Sequence, residues 1–211
     1  MKPFVIRPLP HLEGEIFLSG DKSIAHRSII ISALSSGETR IENFPTNKDC
    51  LSTVKAFRKL GIKIRQVSST INVFGGGLHG LHKPRSPIFV GDSGTTLRLL
   101  LGVLAGQDFK TKLVAGKSLS QRPMLRVTQP LRMMGAEIKA RVKSKKSPPE
   151  AGPPTAEKVE EYPPITIRGG NLKPITYTMP VASAQVKSAI MLAALYAKGK
   201  TRIIERVPTR D

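Results

Sequence analysis

An α+β fold built on one repeated unit of helix, strand, helix, strand, strand is predicted by this 211-residue sequence, with three units begun and the third incomplete. Two observations carry that expectation. The segments GDKSIAHRS, GDSGTTLR and ASAQVKSA each set small hydroxyl or glycine residues beside a cation at the start of an apolar helical pattern. Their spacing is also regular: Ser23 to Ser93 is 70 residues, and Ser93 to Ser183 is 90, or 72 once the 18 residues 144–161 are set aside. That stretch, SKKSPPEAGPPTAEKVEE, has almost nothing to bury and reads as a solvated loop inserted in the repeat.

In the first unit Ile24, Ile29, Ile30, Ala33 and Leu34 offer an apolar face, which predicts a helix over residues 22–34 closed by Gly37. TRIENF reads as a strand, residues 49–60 as a second helix capped by Gly61, and IKIRQV and TINVF as paired strands, because their residues alternate. The second unit repeats this order with a helix over residues 93–104, the strand TKLVAG, a helix over residues 123–134 that places Pro123 first, then AEIKARV and PITIRG. KLGIKI closes the second helix of one unit and MMGAEI that of the next, 38 residues after Ser23 and 42 after Ser93. The third unit has ITYTMP as a strand, residues 183–197 as a helix ending at Gly199, and KTRIIERV as a strand. By the same spacing its second helix falls beyond Asp211, so the sequence reads as stopping inside its own repeat, the alternative being a degenerate terminal cap.

Composition narrows the function. At 39% hydrophobic the chain can build a core, and its length suits one domain and part of another. Its single cysteine, Cys50, excludes an internal disulfide, and His11, His26, His79 and His82 have no zinc-ligand spacing, so no metal is expected. Neither a membrane-spanning run nor a signal-peptide core is evident, which points to the cytoplasm and away from a membrane partner. The net charge of +19 would suit a nucleic-acid-binding protein, but with 5% aromatics and no tryptophan there is little on which bases could stack. Helix starts present unpaired N–H groups and the positive end of the macrodipole, so three of them decorated with Lys, Arg, Ser and Thr suggest a small ligand with several negative groups.

Four motifs taken in order, GDKSIAHR, GDSGTTLRLL, SLSQRPMLRV followed by PLRMMGAEI, and TMPVASAQVKSAIMLAALYA with VPTRD after it, resemble the first half of the EPSP synthase (3-phosphoshikimate 1-carboxyvinyltransferase) family. The related UDP-N-acetylglucosamine enolpyruvyl transferases carry a reactive cysteine five residues before the arginine that matches Arg122. Lys117 stands there in this chain, and Cys50 lies elsewhere. The resemblance implies the enolpyruvyl transferase fold of βαβαββ units, six in two domains, with the active site between them. Residues 1–19 would belong to the other domain and residues 20–211 to a substrate-binding domain. The reaction implied moves the carboxyvinyl group of phosphoenolpyruvate to the 5-hydroxyl of shikimate 3-phosphate and releases phosphate, with no cofactor, in a monomeric enzyme completed by a C-terminal half.

By the same resemblance Lys22, Gly94, Thr95, Arg122 and Gln185 would surround phosphoenolpyruvate, and Lys22, Ser23, Arg27, Ser183, Ala184, Gln185 and Arg210 would hold shikimate 3-phosphate. Arg98, Arg126 and Lys187 would be supporting charges. Glycine at 94 would let backbone donors approach the ligand, and the planar fork of Arg122 suits an oxyanion. The general acid and base of the family belong to its other half, so no residue of this chain is assigned proton transfer, and Lys22 and Arg122 only support the chemistry. Asp92 stands where the family usually has Asn, and its carboxylate would repel anions unless Lys22 or Arg122 paired with it. His26 is expected to be structural. A stand-alone anion-binding module and a basic nucleic-acid-binding protein remain the alternatives from other classes.

Overall fold

The computed structural model describes residues 18–145 and 158–208, with side chains for 18–143 and 159–208. Helix α1 (Lys22–Leu34) starts where the carboxylate of Asp21 accepts a hydrogen bond from the Ile24 N–H at 2.7 Å. Its end differs from the expected glycine closure. Ser35 closes the helix, and Gly37, at φ 94°, lies inside strand β1 (Ser36–Ile41), opposite Gly75 of β3 (Thr70–Gly76). That strand sits earlier than TRIENF, because Asn43 takes φ 52° and turns the chain away.

Asn47 caps α2 (Lys48–Lys59), and β2 (Lys63–Val67) then pairs with β3 to give an antiparallel sheet of order β1-β3-β2. Strand β4 (Ile88–Phe89) leads into α3 (Gly94–Ala105), which is followed by β5 (Lys110–Val114), the short 3-10 turn Leu119–Gln121, α4 (Leu125–Met133), β6 (Glu137–Lys145) and β7 (Lys158–Arg168). Those four strands form a sheet of order β4-β5-β7-β6, parallel only between β4 and β5. Finally β8 (Thr176–Thr178) and β9 (Arg202–Ile204) pair in parallel around α5 (Ala184–Ala194).

The repeat is visible in atomic detail. Arg58 forks onto the carbonyl of Ile64 at 3.1 and 2.8 Å, and Arg132 onto that of Ile138 at 3.2 and 2.8 Å. Gly61 and Gly135, the punctuation of KLGIKI and MMGAEI, both take positive φ, at 92° and 113°. Each turns the chain from helix to strand in a conformation that a side chain would strain.

Three further boundaries differ from expectation, two of them for reasons remote in sequence. Helix α4 begins at Leu125 and not at Pro123, because the Met124 N–H is donated to the Glu161 carbonyl of β7 at 2.7 Å and holds that residue outside the helix. Helix α5 stops at Ala194, and Tyr196 and Ala197 continue only as tight turns before Gly199 at φ 122°. The expected loop over residues 144–161 is shorter at both ends, since β6 and β7 pair as far as Lys145 opposite Lys158. Residues 146–157 lie outside the described residues, as do residues 1–17 of the expected leading segment 1–19 and Arg210.

Helix α3 is the centre of the core. Leu97, Leu99, Leu100, Leu101 and Leu104 face in several directions and are each no more than 1% exposed, as expected of a helix surrounded by protein. It packs most extensively on α5, with α2 seated against α1 and α3, and α4 against α3 and α5. Between α1 and α5 runs an apolar groove of about 140 Å³ lined by Ile30, Ile31, Met191 and Leu192, with Arg27 and Ser188 joining its walls.

Candidate functional site

Gln185 is the residue through which two of the three helix starts meet. As the second residue of α5, it donates through its amide to Thr95 Oγ1 at 2.9 Å and accepts from the Arg98 guanidinium at 2.7 Å. Both partners lie in the first turns of α3, some 90 residues away in sequence. The N-caps are Ser93 and Ser183, whose hydroxyls accept from Thr96 N at 3.2 Å and Val186 N at 3.4 Å. Arg98, Arg126, Ser183, Gln185, Pro123, Met124, Val127 and Val186 enclose a cleft of about 310 Å³ at these starts.

The electrostatics of the cleft are one-sided. Burial, and then the neighbouring charges of Arg122 and Arg126, push the Arg98 guanidinium pKa below its ordinary value. Gln185 gives Arg98 a neutral acceptor, which bonds the group without cancelling its charge. Arg122 is exposed and its guanidinium reaches the Ser118 hydroxyl at 3.3 Å. A cluster of cations in which Arg98 and Arg122 are bonded to neutral acceptors suits an incoming anion, whose charge would relieve their mutual repulsion.

Other expected residues lie around this centre. Arg27 of α1 donates to the Ser23 carbonyl at 3.2 Å and to Ser188 Oγ of α5 at 3.0 Å, spanning the apolar groove. Lys22 is ion-paired with Asp49 of α2, a partner 27 residues away that no motif indicated. Ser23 is exposed in the first turn of α1, but the cap is Asp21, so the positive end of that helix already faces a carboxylate. Ala184 is half-buried as the first residue of α5. A Cβ on Gly94 would lie 2.7 Å from the Arg98 guanidinium, so the missing side chain makes room for that cation as well as for a ligand.

Two charged residues have partners that the motifs did not indicate. Asp92 pairs with neither Lys22 nor Arg122; it accepts from the Leu119 N–H at 2.8 Å and pins the loop that leads to Arg122. Its carboxylate is therefore engaged with backbone, where a hydrogen-bond donor of the loop faces it. Lys187, expected as a supporting charge, is ion-paired with Glu205 at 3.0 Å. Arg126 lines the cleft, which its place in the sequence left ambiguous. Among the described residues no cluster of three His, Cys, Asp or Glu side chains is placed to hold a metal, and no helix is long and apolar enough to cross a membrane.

Residues 6–211 match the family EPSP synthase (3-phosphoshikimate 1-carboxyvinyltransferase). The chain belongs to the EPSP synthase family. It is 50% identical over 202 residues to the 3-phosphoshikimate 1-carboxyvinyltransferase of Enterococcus faecalis, covering 95% of this chain and 44% of that one. To the enzyme of the same name from Geobacillus kaustophilus it is 51% identical over 200 residues, covering 95% and 43%. A solved structure of EPSP synthase from Acinetobacter baumannii superposes with a TM-score of 0.82 at 42% identity, covering 94% of this chain and 41% of that one. The chain thus spans less than half the length of these EPSP synthases, and its helices and sheets are partial units of the enolpyruvyl transferase fold.

Proposed function

We propose that this chain supplies one half of an EPSP synthase site, binding shikimate 3-phosphate and phosphoenolpyruvate for carboxyvinyl transfer completed by the remainder of the longer protein. The observation that carries the reading is the junction of Thr95, Arg98 and Gln185 beside Arg122 and Arg126, in a chain that belongs to the EPSP synthase family.

The chemistry fits those residues. Protonation of the vinyl carbon of phosphoenolpyruvate leaves an oxocarbenium-like centre that the 5-hydroxyl attacks as it gives up its proton, and the tetrahedral intermediate then loses phosphate together with a proton of the new methyl group, which restores the vinyl group. Fixed cations and backbone donors serve such a step by positioning the ligands and by preorganised charge. In this reading Gly94, Thr95, Arg122 and Gln185 hold the donor, with Arg98 and Arg126 adding charge. Ser23, Arg27, Ser183, Ala184, Gln185 and Arg210 hold shikimate 3-phosphate. Lys22 serves both, which requires an incoming anion to compete with Asp49 for its ammonium. The general acid and base come from the other half, and the complete enzyme acts as a cytoplasmic monomer.

The test is titration and turnover with the 211-residue chain. It should bind shikimate 3-phosphate and phosphoenolpyruvate measurably and release no phosphate from the pair until the remaining half of the protein is added. Turnover by the chain alone, or binding of neither substrate, would refute the proposal.

A further inference from the structure

A buried hydrogen-bonded chain lies behind these helix starts, and the proposed function makes no use of it. His26 on α1 has its Nδ1 2.7 Å from Thr53 Oγ1 on α2. Thr53 Oγ1 lies 2.8 Å from Thr96 Oγ1 on α3, and the Thr96 hydroxyl donates to Ser93 Oγ at 2.8 Å. All four residues are at most 1% exposed. The other ring nitrogen of His26, Nε2, is buried without a hydrogen-bond partner.

The unpartnered nitrogen sets the direction of the whole chain. A hydrogen on Nε2 would be a buried donor with no acceptor, which costs more than a lone pair left bare. The hydrogen therefore sits on Nδ1 and is donated to Thr53, which donates to Thr96, which donates to Ser93. The order matches the geometric roles at the end of the chain, where Ser93 Oγ also accepts from Thr96 N and caps α3.

Its placement ties ligand-facing residues together. His26 is four residues after Lys22, and Thr53 is four after Asp49, so the Lys22–Asp49 pair and the His26–Thr53 bond are successive rungs between α1 and α2. Thr96 follows Gly94 and Thr95, and Thr95 is the residue that receives Gln185. One buried chain thus sets the start of α1 against the start of α3 by way of α2.

We propose that His26 is a positioning residue, which as the Nδ1–H tautomer heads a one-way donor chain through Thr53, Thr96 and Ser93 and holds Lys22 and the Gly94–Thr95 helix start at the separation the anionic ligand needs. The inference rests on the proposed anion site and deepens it. A side chain that only filled space would be replaced best by one of similar length. A donor at Nδ1 is replaced best by the amide of Asn, which reaches that position, and poorly by Gln, whose amide reaches the position of Nε2.

The test measures phosphoenolpyruvate and inorganic phosphate binding to the full 211-residue chain by calorimetry, with imidazole nitrogen NMR at neutral pH. The spectrum of His26 should be that of the Nδ1–H tautomer and should shift when phosphoenolpyruvate is added. His26→Asn should keep affinity within about twofold, while His26→Gln and Thr53→Val should each weaken it by about tenfold, and Thr53→Ser should restore it. An Nε2–H spectrum, or Gln tolerated as well as Asn, overturns the proposal. So does a Thr53→Val chain with lowered melting temperature and unchanged affinity, because the link would then be structural alone. If the Thr53→Val chain fails to fold, the Asn and Gln pair and the spectrum decide. A wild-type chain that binds neither anion refutes the site itself, while the tautomer still reports on the hydrogen-bonded chain.

Discussion

Replacing Gly102 by alanine should separate the two helices whose starts form the cleft. Gly102 lies on α3 against α5, and a Cβ there would stand 2.3 Å from the Ala189 carbonyl oxygen and 2.9 Å from its carbon and Cα. Those are backbone atoms and cannot swing aside. An ordinary carbon-to-oxygen contact of about 3.3 Å requires the helices to part by about 1 Å. Overpacking of this severity costs about 3 kcal/mol, and the better helix propensity of alanine offsets about 1, leaving a net loss of about 2 kcal/mol. The same displacement would stretch the 2.9 Å bond from Gln185, one turn before Ala189, to Thr95 beyond hydrogen-bonding reach. Urea unfolding should show the lost stability, and calorimetric titration with phosphoenolpyruvate should show weaker binding by the same variant. Stability within about 0.5 kcal/mol of wild type, as for a surface change, together with unaltered affinity would refute the reasoning.

Three further outcomes follow from the site and its supports. Arg98→Met should weaken phosphoenolpyruvate binding by about tenfold or more without lowering the melting temperature, since it removes a half-buried cation held near two others; calorimetry and a thermal melt check both halves. His26, whose pKa is lowered from 6.5 to about 4 by burial and then by the nearby charge of Lys22, makes folding pH-dependent. Its unfolded form binds the proton more readily, so its contribution is full above pH 6.5 and is lost as the pH falls toward 4, by about 3 kcal/mol at most, a slope that His26→Asn should remove from urea midpoints taken across that range. Glu161→Gln should destabilise by about 1 to 2 kcal/mol in the same assay, because it leaves the partly exposed Arg132, now 2.8 Å from the carboxylate, without its counter-charge, and a loss below about 0.5 kcal/mol would show the pair to be dispensable.

The sequence announced what depends on neighbours close along the chain and hid what depends on distant ones. Helix α1 was legible to the residue, since its apolar spacing and its start after Asp21 are local signals. So was the repeat, because glycines such as Gly61 and Gly135 carry a backbone requirement in their identity. The start of α4 was not, as the Glu161 carbonyl that holds Met124 lies on a strand beyond the insert. The outer ends of β6 and β7, residues 144–145 and 158–161, read as loop in the sequence because their lysines and glutamates show no apolar alternation and look the same in either setting. At the site, Thr95, Gln185 and Arg122 stood out by motif. The roles of Asp92 and Lys187 did not, because Leu119 and Glu205 became their partners only through folding.

The pairing of Lys145 with Lys158 has a consequence for how this protein can be altered. Because β6 and β7 bring those two residues side by side, the connection between them starts and finishes at nearly one point. Closing a loop across so small a gap costs only about 0.6 kcal/mol more for each doubling of its length. Arg141 of β6 holds the loop before Arg122 through the Ser120 carbonyl at 2.6 Å, four residues short of the end of that strand. A reporter peptide or dye spliced in between Lys145 and Lys158 should therefore leave the pairing of β6 with β7 in place, so that its signal can follow ligand binding while the cleft keeps its native residues.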